Sequence, residues 1–285
     1  MFNFVVLTPN SSYLCHIFGK IKQFFCIFAR INNELVIKNR TTDMFLNLLE
    51  GQFLSNLTTG EAFIMVILVG VAGMIVQMRL RAVVEKYSKV SLPAGMTGAQ
   101  IAEMMLRQNG VTDVKVTHVG GYLTDHYDPR KKTVNLSDDV YNGSSISAAA
   151  IACHECGHAL QHATGYAPLQ MRSALVPFVQ FSSQTATWIL IIGLIMAGSS
   201  GDQTMCWIGI GLMCVSALFS IVTLPVEYNA SDRALAWLES SRVLNDKELE
   251  GAQISLKWAA STYLVAALSA IASILYYISW MNRRR

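Results

Sequence analysis

The chain has 285 residues, 52% hydrophobic and only 14% charged, with a mean hydropathy of +0.37. Soluble domains carry about 25% charged residues, so the composition argues against a wholly soluble protein and for one seated in a membrane. The formal net charge is +3, and no basic stripe with interleaved aromatics accompanies it, which excludes nucleic acid as the expected partner.

In residues 1–43, Phe-rich, Asn-rich and Lys-rich pieces alternate without a period. They lack the ordered regions and cleavage site of a signal peptide. Ile17 to Ile31 could form a basic amphipathic helix on a membrane surface; the alternative is a poorly ordered upstream extension, with Met44 as the start. A first transmembrane segment is expected within 44–82, where Ala62 to Met78 holds no charge and is just long enough to span.

Residues 83–177 have soluble character. Thr97-Gly-Ala-Gln100 is a capping box, and Asn109-Gly110 stops the short helix after it. Val111 to Val119, Tyr122 to Tyr127 and Lys132 to Leu136 read as strands, with Gly120-Gly121 and Asp128-Pro129 as bends. An exposed strand edge there would suit an extended peptide.

The Ile151–His162 stretch carries the chemistry. Inside it is His154-Glu155-x-x-His158. Residues four apart share one face of an α-helix, so both imidazoles can grip one Zn²⁺. Glu155, beside the first, can take a proton from a water activated there. Ser144 and Ser145 offer N-caps, Ala148 to Ala152 is alanine-rich and Gly165 offers a C-cap. The competing interpretation is two buried histidines on an ordinary helix. Six cysteines occur, Cys15, Cys26, Cys153, Cys156, Cys206 and Cys214. They form no disulfide framework. Cys153 and Cys156 point away from the histidine face and read as small buried side chains rather than a redox pair.

A transmembrane hairpin is expected over 178–224. Its first half is polar, at Gln180, Ser182, Ser183 and Gln184, so that half should face protein or a cavity. Pro225 should interrupt the span that ends at Leu224 and start a helix over 225–257. Residues 258–285 hold the last transmembrane helix, in which Trp258 to Asn282 is charge-free and ends in Tyr276, Tyr277 and Trp280, an interfacial belt. Arg79, Arg81, Lys86, Lys89, Arg172, Arg233, Arg242, Lys247 and Lys257 fall on one face of this four-span arrangement. The positive-inside rule makes that face cytoplasmic. Arg283 to Arg285 disagree with it.

A catalytic zinc usually takes three protein ligands plus water. His162 lies about 12 Å along the helix from His154, too far to share one ion, and reads as a supporting or substrate-side group. His118 and His126 are possible third ligands. Glu227, on a helix that follows a returning span, is the stronger candidate; the alternative is a surface carboxylate near a helix N-terminus.

Lys86-Tyr-Ser-Lys-Val90, Asp125-His-Tyr-Asp-Pro129, Val134-Asn-Leu-Ser137, the histidine helix through His162, Gly165-Tyr-Ala-Pro168 and Leu224-Pro-Val-Glu-Tyr-Asn-Ala-Ser231 resemble the YugP-type neutral zinc metallopeptidases, an integral-membrane bacterial family. The resemblance runs from about residue 56 to the C-terminus. More broadly the chain is similar to HtpX-like gluzincin membrane proteases, and this likeness implies Glu227 as the third ligand. It also implies an Asp four residues later to orient a zinc histidine. That position is Ser231, with Asp232 one further on, so either could fill the role.

The expected fold is a mainly α membrane protein, with about four transmembrane helices and a small α+β zincin-like catalytic unit at the membrane surface. The expected function is a zinc-dependent endopeptidase of a bacterial-type cell membrane. Zn²⁺ would sit on His154, His158 and Glu227, with Glu155 as general base, acting on membrane or membrane-proximal proteins. The rivals are a non-catalytic scaffold or chaperone with structural zinc, and a transporter. The absence of charge within any span argues against the last.

Overall fold

The structure, a computed structural model, describes residues 57–92 and 95–283. The chain divides into two compact units, Met1–Glu61 and Ala62–Arg285. The elements below belong to the second, apart from the first residues of the leading helix. The expected N-terminal extension, its amphipathic helix and Met44 lie outside the described residues.

Seven helices and three strands follow in order among the described residues: α1 (Thr59–Ser88), α2 (Gly98–Gln108), β1 (Lys115–Val119), β2 (His126–Asp128), β3 (Thr133–Ser137), α3 (Asp138–Tyr141), α4 (Ile146–Ala163), α5 (Ala167–Ser199), α6 (Thr204–Ser241) and α7 (Asp246–Asn282). The protein is a mainly α membrane protein with a small α+β unit. Helices α1, α5, α6 and α7 are each long and apolar enough to cross a membrane.

Local chemistry explains the shorter elements. Thr97 and Gln100 close a reciprocal capping box at the start of α2. The β2–β3 bend is held by Asp128, whose carboxylate accepts the N–H groups of Arg130 and Lys131. β1 and β2 are shorter than their alternation suggested, β2 beginning only at His126, and β3 is shifted by one residue. The sheet order is β1-β3-β2. β1 runs parallel and β2 antiparallel to β3, which leaves β2 on an edge, packed beside α4.

The long helices extend further than the apolar runs. α5 starts at Ala167, well before the apolar stretch from Phe178. α6 runs unbroken through Pro225. A proline inside a soluble helix costs about 3 kcal/mol or more, but buried in a bundle it is tolerated, and Pro225 is buried. Ser182 faces inward, its hydroxyl 3.4 Å from that of Ser216 on α6. Gln180, Ser183 and Gln184 face outward, against the expectation for that segment.

The main core lies where α2, β3, α4 and the far half of α6 meet. Ile101, Met105, Val134, Leu136, Cys153, Cys156 and Leu238 are its largest fully buried members. Each large apolar side chain buried there contributes about 1.5–3 kcal/mol. Trp237 donates its indole N–H to Gln108 at 2.9 Å and ties α6 to α2. A smaller cluster of Leu190, Ala197, Cys206, Ile210 and Met281 closes the opposite end of the bundle.

Candidate metal centre

Helix α4 carries His154, Glu155 and His158 on its inner face. It starts at Ser145, whose hydroxyl accepts the N–H of Ala148. It ends in a Schellman turn: Gly165, at φ +63°, donates to His162 O, and Tyr166 donates to Gln161 O. At mid-helix α4 presses on α6. A Cβ at Gly157 would stand 2.5 Å from the carbonyl oxygen of Ala230. The glycine inside the motif is thus what lets the two backbones approach.

That approach brings Glu227 of α6 to the histidines. Its Oε2 lies 3.2 Å from His154 Nε2 and 3.5 Å from His158 Nε2. The two rings stand edge to face at 4.8 Å between centroids. His154, His158 and Glu227 form the one His/Cys/Asp/Glu group that could hold a metal ion among the described residues, with their donor atoms all within 4.8 Å. The donor set fits Zn²⁺: two imidazoles and one carboxylate.

Each group has its own support. Ser231 Oγ is 3.2 Å from His154 Nδ1. Ser231 therefore occupies the orienting place, rather than Asp232. Gln161, fully buried, accepts from His158 Nδ1 at 3.0 Å and donates to Val226 O at 2.7 Å and Asn229 Oδ1 at 3.0 Å. With both Nδ1 atoms engaged, both Nε2 atoms are the ones turned toward Glu227 Oε2. Arg172, from the first turns of α5, donates to the other carboxylate oxygen of Glu227 at 3.1 Å. A carboxylate this buried is sustained by such pairing, since an uncompensated one costs several kcal/mol. Tyr263 of α7 faces Glu227, Arg172 and Glu155. Burial pushes the His158 pKa down, but the Glu227 hydrogen bond and the charges of Glu155 and Glu227 outweigh it, and the net shift is upward.

Glu155 is buried beside His154. His162 lies on the same side, further along, and Nδ1 of its ring is 2.8 Å from the Tyr127 hydroxyl on β2. The other candidates are elsewhere: His118 pairs with Asp138, and His126 Nδ1 bonds the Thr124 carbonyl. Cys153 and Cys156 are free and fully buried, and burial holds both thiols well above the ordinary range, so neither is poised for redox work.

Gln161, Arg172 and Tyr263 escape a sequence reading. Gln161 lies three residues past His158, a spacing that could have marked it. Arg172 reads only as a topological charge, and Tyr263 lies in an apolar run.

The family model described as "Putative neutral zinc metallopeptidase" matches residues 62–282. The chain belongs to this family. The curated "Putative membrane protease YugP" of Bacillus subtilis (strain 168) is 41% identical over 202 residues, which cover 71% of this chain and 88% of that protein. No solved structure is significantly similar. Zinc is thus the family's metal, and this family member carries a trio of side chains able to hold one, with His158 and Glu227 buried and His154 half-buried.

Proposed function

We propose that the protein is a membrane-bound zinc endopeptidase of gluzincin type, with His154, His158 and Glu227 as metal ligands and Glu155 as general base. The observation that carries this is the convergence of two imidazole Nε2 atoms and one carboxylate oxygen from helices 73 residues apart. Three donors rather than four favour a catalytic over a closed structural site, which counts against the scaffold alternative.

Zn²⁺ bound there would lower the pKa of a water and polarise the scissile carbonyl. Glu155 takes a proton from the attacking water and passes it to the amine nitrogen that leaves. Arg172, which donates to Glu227, and Tyr263, which faces the same carboxylate, are the donors assigned to meet negative charge developing on the carbonyl oxygen. Strand β2, on the sheet edge beside α4, offers unpaired backbone groups to an extended substrate. Glu155→Gln removes the proton acceptor and leaves the metal ligands intact. Its zinc content should match wild type while peptide hydrolysis falls by at least about a hundredfold. Full hydrolysis by this variant would refute the assignment.

Glu227 lies about 35 Å along α6 from Thr204, just beyond a hydrocarbon layer of about 30 Å. The site then stands at the membrane surface, and its substrates are membrane proteins or their juxtamembrane tails. The basic residues Arg79, Arg81, Arg172 and Arg233 lie toward the site, whereas the α5–α6 turn carries only Asp202. The catalytic face is therefore assigned to the cytoplasm of a bacterial-type cell. A cysteine placed at Asp202 should react with an impermeant maleimide on intact cells, and one at Lys131 only after lysis; the reverse pattern would invert the orientation.

A further inference from the structure

The outer side of α5 holds a feature that the metal site does not use. Gln180, Ser183, Gln184 and Thr187 are all exposed. At 3.6 residues per turn they cover about a third of the helix circumference, next to the line that carries Arg172. The inward face, Ser182, Ala186, Leu190 and Gly193, is buried. Where a polar group of this helix faces inward it is met, as Ser182 is by Ser216. The outward ones are not. Ser183 bonds back to the Gln180 carbonyl at 3.3 Å, and the Gln180 and Gln184 amides and the Thr187 hydroxyl have no partner among the described residues.

These groups lie between about 18 and 29 Å from Ser199 along the helix axis, inside the thickness of the hydrocarbon layer. Lipid chains can neither donate nor accept a hydrogen bond, so polar side chains at that depth are matched by polar side chains of another helix. The stripe leads to the metal site: Arg172, which grips Glu227, is about 12 Å up the same helix from Gln180.

Resting on the protease assignment above, we propose that this stripe docks the transmembrane helix of a single-span substrate, one with Asn, Gln, Ser or Thr on the matching face. The stripe's place on the helix that also carries Arg172, about two turns from the Arg172–Glu227 pair, selects this occupant. A substrate helix seated there delivers its emerging tail to the site, and about four extended residues bridge the interval. Cleavage therefore falls within the first few residues outside the bilayer.

The test uses full-length Glu155→Gln protein in proteoliposomes and two labelled synthetic single-span peptides. One is a leucine helix with Asn at two positions four apart; the other is all leucine. Association is read by energy transfer, without cleavage. Replacing Gln180→Leu, Ser183→Ala, Gln184→Leu and Thr187→Val together should weaken binding of the Asn peptide about tenfold. The all-leucine peptide should be unaffected. Unchanged zinc content shows that the variant is folded. Equal binding of the Asn peptide to both proteins would overturn the proposal. So would energy transfer between two labelled protein copies that the substitutions abolish, which would assign the stripe to self-association. If the parent protein with Glu155 restored binds the Asn peptide but leaves its tail uncut, docking stands and proteolysis fails.

Discussion

Gln161 shows how much of the site's order rests on side chains that never touch the reacting atoms. It spends its amide on three partners, His158, Val226 and Asn229, and so links the ring of one proposed ligand to the turn of α6 that carries another. Gln161→Leu removes the acceptor that fixes the His158 tautomer and strands the Asn229 side chain. Zinc affinity, measured by competition with a chromophoric chelator, should fall about 10- to 100-fold. Gln161→Glu, which keeps an acceptor for His158, should fall less; no change in either variant would remove Gln161 from the site. His154 and His158 were legible because a four-residue step on a helix fixes their geometry. Ser231 lies one such step after Glu227, on its face, whereas Asp232 is turned about 100° away. That phase, available from the sequence, separates the two. Arg172 and Tyr263 come from distant helices with no spacing to relate them, so only the fold reveals them.

At the scale of elements, the contact of α4 with α6 decides whether a site exists. Gly157 meets a backbone carbonyl rather than a flexible side chain, so the helices must part to admit a methyl group. Alanine gains about 1 kcal/mol of helix propensity over glycine, but overpacking of this kind costs about 1–3 kcal/mol. Gly157→Ala should lower the melting temperature and weaken zinc binding. Gly211→Ala on α6, where a Cβ meets nothing within 4 Å, is the matched control and should be neutral or stabilising. If both behave alike, the close approach is not needed. The caps of α2 and α4 could be read from the chain because Thr97, Gln100, Ser145 and Gly165 make local bonds. The length of α6 could not. Pro225 signals a break where only local bonding is counted, and a buried bundle position overrides it.

Across the whole molecule, the long helices do two jobs with one length. Their apolar stretches are sized for a bilayer, and their continuations, Ala167 to Pro177 on α5 and Val226 to Ser241 on α6, carry Arg172 and Glu227 to α4. Membrane class and helix number were legible from apolar runs, since hydrophobic length is a property of composition. The convergence of Glu227 with the two histidines was expected through the family resemblance and not from the apolar runs, because it depends on helix phase accumulated over many turns. The claim that three side chains from α4 and α6 share one zinc is tested most directly by metal analysis of detergent-purified protein. Wild type should carry one zinc per chain, and Glu227→Ala should carry a small fraction of that while remaining folded by circular dichroism. Equal zinc in the two proteins, or none in wild type supplied with zinc, would contradict it.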